Sequence, residues 1–274
     1  EMSKAFLAPL LVVLLMVSVY AQKDYHFLSP SVYYTHGTYN NGTVTNSYAG
    51  YITTEISDPH YLTIHYDNLS MQHPQWKYSQ QSFLGSALLS FYPFYVKPAF
   101  GHYKGDYRAK GFQYEYTDYT NLASLDAFLY DDGWYAGVMY VHQNRIGFQE
   151  QVSDQVTLRL EKILGWEWFV SLKPSFVALK DGRKLFSAAA KIHYQPHYQW
   201  VFKAGGFAGE RASYFDTDLL TFFNQDDTQQ YQAYIQAEYD PIPELKCTIG
   251  YQHTGFRPYH INYIFAGLKS SLWL

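Results

Sequence analysis

The sequence predicts an all-β chain closed into a transmembrane, antiparallel, up-and-down β-barrel of about fourteen strands. Three observations carry this expectation. Apolar and polar residues alternate with period two in segments of about ten residues along nearly all of residues 46–274. Those segments are separated by short clusters of Gly, Pro and Asp, with no linker between them. The composition joins a mildly negative mean hydropathy to 20% aromatic residues, including 29 Tyr and 6 Trp. A sheet with an apolar outside, a polar lumen and aromatic girdles at both membrane interfaces needs that pairing. A secreted soluble β-sandwich or barrel is the rival on composition alone.

The first residues read as a leader. Lys4 precedes the uncharged, largely apolar run Ala5–Val19, which ends in Val19-Tyr20-Ala21. Fifteen residues at about 1.5 Å rise cover about 22 Å, short of the roughly 30 Å hydrocarbon core. A secretory signal cleaved after Ala21 therefore fits better than a membrane anchor. No cysteine follows the cleavage point, which argues against lipoprotein processing, and residues 1–21 are set aside. The next segment, 22–45, is expected to be an N-terminal periplasmic or plugging piece.

Alternation is clearest in four runs. Val156, Leu158 and Leu160 oppose Gln155, Thr157, Arg159 and Glu161; Trp166, Trp168, Val170 and Leu172 oppose Glu167, Phe169, Ser171 and Lys173. Phe186, Ala188, Ala190, Ile192 and Tyr194 oppose Ser187, Ala189, Lys191 and His193; Tyr231, Ala233, Ile235, Ala237 and Tyr239 oppose Gln230, Gln232, Tyr234, Gln236 and Glu238. About fifteen candidate strands emerge, near 31–39, 47–56, 60–71, 76–90, 92–104, 107–119, 122–130, 133–144, 152–163, 165–178, 183–195, 197–209, 227–240, 244–256 and 259–272. The turn signals include Lys104-Gly105-Asp106, Asp131-Asp132-Gly133, Lys180-Asp181-Gly182 and Asp240-Pro241-Ile242-Pro243.

Bacterial single-chain barrels have even strand numbers, short periplasmic turns and longer outer loops. With the last strand descending to a periplasmic C-terminus, the tight joints at 241–243, 196, 164, 131–132 and 105–106 share one side. The long connection Glu210–Asp226 falls on the other. This register leaves 31–39 unpaired and gives fourteen strands, with twelve and sixteen as the neighbouring even counts.

The last stretch, Ile264, Ala266, Leu268, Ser270, Leu272 and Leu274 with Trp273 beside it, resembles the alternating C-terminal strand of bacterial outer-membrane β-barrel proteins. It ends on Leu where such strands usually end on Phe. Across residues 46–274 the chain resembles that porin-like class as a whole and no one family within it. The resemblance implies residence in the outer membrane, contact with its lipid and lipopolysaccharide, and biogenesis through the barrel-assembly machinery.

Charge and chemistry narrow the function. A net charge of −4 without a basic run argues against a nucleic-acid partner. The single Cys247 forms no internal disulfide and takes the apolar face of its strand. A serine hydrolase needs Ser and His within hydrogen-bond reach, and no Ser-x-His or His-x-Ser triplet exists. His193 and His197 flank a turn and read as turn or interfacial residues, while Asp216, Asp218, Asp226 and Asp227 read as a solvated outer loop rather than metal ligands. No catalytic residue, metal site or cofactor is expected.

The charged residues on polar strand faces, Glu115, Asp126, Arg159, Glu161, Glu167, Lys173, Lys191, Lys203, Glu238 and Lys246, are the candidate pore lining, since charge in a membrane protein must face water or a partner. Lys173, Lys191 and Lys203 are expected to form a basic strip, and Glu115 and Asp126 an acidic one opposite. The expected function is a passive pore for small polar solutes or ions, unless the 210–226 loop or the N-terminal segment plugs it. The alternatives are a structural, adhesive or docking barrel of the envelope and an outer-membrane lipid hydrolase. The loop residues Phe215, Leu219, Leu220, Phe222 and Phe223 are expected to fold back onto the barrel rim.

Overall fold

The computed structural model describes residues 27–273 except 112–113, 148–149, 217, 219 and 224–226. The expected signal segment lies outside the described residues. Strands account for nearly all of the rest: β1 (Phe27–Tyr39), β2 (Val44–Ser57), β3 (His60–Gln72), β4 (Trp76–Phe91), β5 (Phe94–Ala109), β6 (Glu115–Asp131), β7 (Trp134–Ile146), β8 (Gln151–Leu164), β9 (Trp168–Leu179), β10 (Lys184–His197), β11 (Trp200–Arg211), the short pair β12 (Tyr214–Asp216) and β13 (Thr221–Phe223), then β14 (Gln229–Ile242), β15 (Leu245–Phe256), β16 (His260–Ser270) and β17 (Leu272–Trp273). Each long strand pairs antiparallel with its neighbours, and β16 returns to β1. The result is a closed fourteen-stranded barrel with β12–β13 as a separate hairpin.

Closure uses a strand that the sequence reading left out. β1 lies between β2 and β16, with Tyr33 opposite Gly267 and Gly37 opposite Tyr263. The barrel therefore starts at residue 27, and 27–39 is wall, not a periplasmic or plugging piece. Residues 31–39 alternate as a candidate strand, but the turn expected at 104–106 adds one strand to the count, and even parity then leaves this one unpaired.

The Lys104-Gly105-Asp106 turn does not form either. β5 runs straight through it, with Gly105 paired to Gln80 on β4 and to Asp118 on β6. A Cβ on Gly105 would sit 2.2 Å from the Tyr78 hydroxyl. The glycine is there to admit a tyrosine side chain, not to bend the backbone.

The two ends differ. Turns of two or three residues (58–59, 92–93, 132–133, 165–167, 198–199 and 243–244) close one end, where both described termini also lie. At 132–133 both residues have positive φ (43° and 75°), as a tight hairpin turn requires. The other end carries 40–43, 73–75, 110–114, 147–150, 180–183, 257–259 and the long 212–228.

Outward residues form an apolar belt, exposed at Val156, Leu158, Leu160, Leu172, Phe186, Ile192, Ile235, Ile249 and Ile264. Trp134, Trp166, Trp168, Trp200 and Trp273 gather at the short-turn end, leaving Trp76 alone at the other. At the long-loop margin the girdle has a different, repeated chemistry. Tyr34 donates to Asn46 Oδ1 (2.8 Å) with His36 Nδ1 2.9 Å from the same oxygen. Tyr140 and His142 meet Asp154 Oδ1 at 2.6 and 2.9 Å. Tyr251 and His253 meet Asn262 Oδ1, both at 2.7 Å. From Asp154 to Leu164, ten residues of tilted strand rise about 25 Å, the height of a membrane-facing band.

Candidate functional site in the lumen

The described part of the 212–228 connection does not rest on the rim. It turns into the barrel, and the β12–β13 hairpin lies across the lumen. Near its root, Ala212 and Tyr214 pack with Val177, Leu179 and Leu185 of β9 and β10. Further in, Phe215 and Leu220 pack against Leu84, Ala99, Tyr103, Leu122, Met139 and Val141 of β4–β7. Those six wall residues are inward-facing and apolar, whereas a lumen read from alternation is polar throughout. That apolar patch draws the hairpin in, and burying Phe215 and Leu220 contributes about 1.5–3 kcal/mol each.

Backbone bonds fix the hairpin's position. Gln155 donates from Nε2 to the Phe215 carbonyl and accepts the Phe215 N–H at Oε1, both at 2.9 Å. Gln143 Nε2 donates to the Ser213 carbonyl at 2.7 Å. A neutral amide that both donates and accepts satisfies a buried strand edge without importing charge.

Charge completes the anchor. Asp218 reaches the wall at Arg159 (Nη2 to Oδ1, 2.8 Å), at Lys191 (Nζ to Oδ2, 3.0 Å) and at Lys173 through the same Oδ2. Behind it, Arg159 also binds Asp126 at 2.5 Å and Glu161 at 2.8 Å, and Lys173 lies 3.3 Å from Glu161. Burial alone would raise the Asp218 carboxyl. Lys173, Lys191 and Arg159 outweigh it and hold that carboxyl well below the ordinary carboxylate range.

Of the ten charged residues proposed as pore lining, Asp126, Arg159, Glu161, Lys173, Lys191, Lys203, Glu238 and Lys246 lie on inward faces. Two do not. Glu115 is the first residue of β6, on the opposite parity from the inward Asp118 and Asp126, and sits exposed 3.5 Å from Arg108. Glu167 lies in the turn 165–167, its carbonyl accepting the Gln195 N–H at 2.8 Å.

Nor do the charges separate into two strips. Asp218 interleaves Lys173 and Lys191. Lys203 is drawn to Glu238, which also takes Lys246 at 3.2 Å. Sequence reasoning placed Asp218 in solvent because strand period says nothing about where a loop goes.

The two histidines weighed as ligands point to different surroundings, His193 against Phe169 (5.0 Å between ring centroids) and His197 against Tyr198 (4.1 Å). Of the loop aspartates, Asp226 lies outside the described residues. Beside the hairpin, a cavity of about 270 Å³ is lined by Thr53, Tyr61, Thr63, Ser86, Leu88, Lys97 and Phe128, and ends on Arg159 and Asp218. All seven of those wall residues belong to the short-turn halves of β2–β6, so the cavity lies on that side of the hairpin.

Solved structures carry the comparison. The TodX monoaromatic hydrocarbon channel deltaS2 mutant superposes with a TM-score of 0.61 at 9% identity, covering 93% of this chain and 91% of that one. This is the fold of an outer-membrane β-barrel. A Pseudomonas aeruginosa FadL homologue gives 0.58 at 10% identity, covering 91% and 90%. The Pseudomonas putida toluene transporter TodX gives 0.54 at 9%, covering 93% and 91%. Neither a protein-family model nor a curated protein matches the sequence.

Proposed function

We propose that this chain is a bacterial outer-membrane channel that passes small polar solutes passively past a loop folded into its own lumen. The observation that carries this is the cavity beside the hairpin. Thr53, Thr63, Ser86 and Lys97 line it together with Tyr61, Leu88 and Phe128, and it leads to the charged contact between Asp218 and the wall. A barrel serving only as a scaffold has no need of a space of that size next to a loop, and about 270 Å³ has room for several waters. Of the structurally similar proteins, the two TodX structures are named as a monoaromatic hydrocarbon channel and a toluene transporter. The charged groups at this cavity, Lys97, Arg159 and Asp218, favour a cargo that carries a polar or charged group.

Orientation follows from the two ends, with the short turns in the periplasm and the long loops outside. Swelling of liposomes loaded with the folded protein tests the reading. Small sugars should enter faster than they enter empty liposomes, and faster still when residues 214–223 are replaced by a short Gly-Ser linker. Equal swelling in all three preparations would favour the closed structural or docking barrel.

A further inference from the structure

The wall under Asp218 makes sense as a site in its own right. Without the loop, the inward faces of β5, β6, β8, β9 and β10 bring together Lys97, Asp126, Arg159, Glu161, Lys173 and Lys191: four cations against two carboxylates. Asp126 and Glu161 are held by Arg159 and Lys173 at 2.5–3.3 Å. Two positive charges are left over, and the hairpin brings two carboxylates to them, Asp218 in direct contact and Asp216 beside it. The fit is specific to a carboxylate, because one oxygen takes the guanidinium while the other takes both ammonium groups. Asp216 Oδ1 accepts the Asp218 N–H at 2.9 Å and fixes the approach. The adjoining cavity opens onto Arg159 and offers Tyr61, Leu88 and Phe128 to whatever body a carboxylate carries.

We infer that Arg159, Lys173 and Lys191 form a binding site for the carboxylate of a small organic anion, which Asp218 occupies as an internal stand-in until such an anion displaces it. The inference rests on the channel reading and deepens it by naming the cargo. A tethered competitor acts at an effective concentration in the millimolar range or above, so a passing anion is held weakly. Weak holding is what passage requires, since a solute that binds tightly does not leave.

Succinate added to chloride currents across planar bilayers tests this, with wild type, Asp218→Asn and the double variant Lys173→Gln/Lys191→Gln compared. Arg159 is left in place, since its loss would strand Asp126 and Glu161. Succinate should interrupt the wild-type current. In Asp218→Asn the current should rise, its reversal potential should move toward chloride, and the half-blocking succinate concentration should fall about tenfold with the competitor gone. Block should disappear in the lysine double variant. An unchanged half-blocking concentration in Asp218→Asn, or block that survives loss of both lysines, overturns the carboxylate site and leaves the channel standing. No current from any folded, heat-modifiable protein, the hairpin-replaced one included, overturns the channel reading itself.

Discussion

Single residues decide where the barrel closes and where the loop is held. At the β1–β16 seam a Cβ on Gly267 would lie 2.2 Å from the Tyr33 ring, and one on Gly37 would lie 2.6 Å from the Tyr263 ring. Each tyrosine covers the glycine opposite, which joins the first and last long strands on the lumen side. Gly267→Val should therefore destabilise the folded barrel by about 1–3 kcal/mol through overpacking, read as a lower temperature of gel-shift conversion. Val in place of exposed Thr38 should leave it unchanged.

At Asp218 the depressed carboxyl sets the sign of a pH effect. A group whose folded value lies below its unfolded value contributes above the unfolded value, and the contribution is lost as pH falls through the folded one. The contact with Arg159, Lys173 and Lys191, with Lys97, Asp126, Glu161 and Asp216 packed around it, should persist from pH 8 down through about 4. Wild-type conductance should be flat over that range and rise only below it. A rise between pH 5 and 7 would contradict the assignment. The wall cations were legible from strand parity. Asp218 was not, because its position comes from the packing of Phe215 and Leu220.

At the scale of elements, strand facing was the most legible feature. Gln155, Thr157, Ser187, Lys191 and Glu238 all face inward, and Leu158, Ile192 and Ile235 all face outward, as alternation predicts. Arg at Ile235, in the middle of β14, should cost about 2–4 kcal/mol near the bilayer midplane, and Arg at the neighbouring inward Gln236 much less. Urea titration of the folded fraction in lipid measures both. Equal costs would mean that the outward belt does not face lipid. Two strand boundaries went the other way. Candidate strands 92–104, 107–119 and 122–130 are the two strands β5 and β6, while 31–39 joins the wall. These departures cancel in number, which is why fourteen strands stand although both assignments changed. One glycine misled both: Gly105, read as a turn, serves a tyrosine inside β5, and the extra strand it adds to the count is what leaves 31–39 unpaired.

For the whole molecule, the asymmetry between ends organises function. Tryptophans mark the short-turn margin, Tyr-His-Asx clusters mark the other, and the longest loop enters from the latter to meet charged strands in mid-lumen. Cell fractionation should recover the protein with the outer membrane in a heat-modifiable form, and recovery as a soluble periplasmic protein would contradict the proposed location. The central claim is that the inserted hairpin sets the opening of a conducting barrel, and single-channel recording in planar bilayers tests it most directly. Wild-type protein should give small conductance steps. Protein in which a Gly-Ser linker replaces residues 214–223 should give steps several times larger, with both barrels folded by gel shift. Steps of the same size from the two proteins, or none from either, would contradict it.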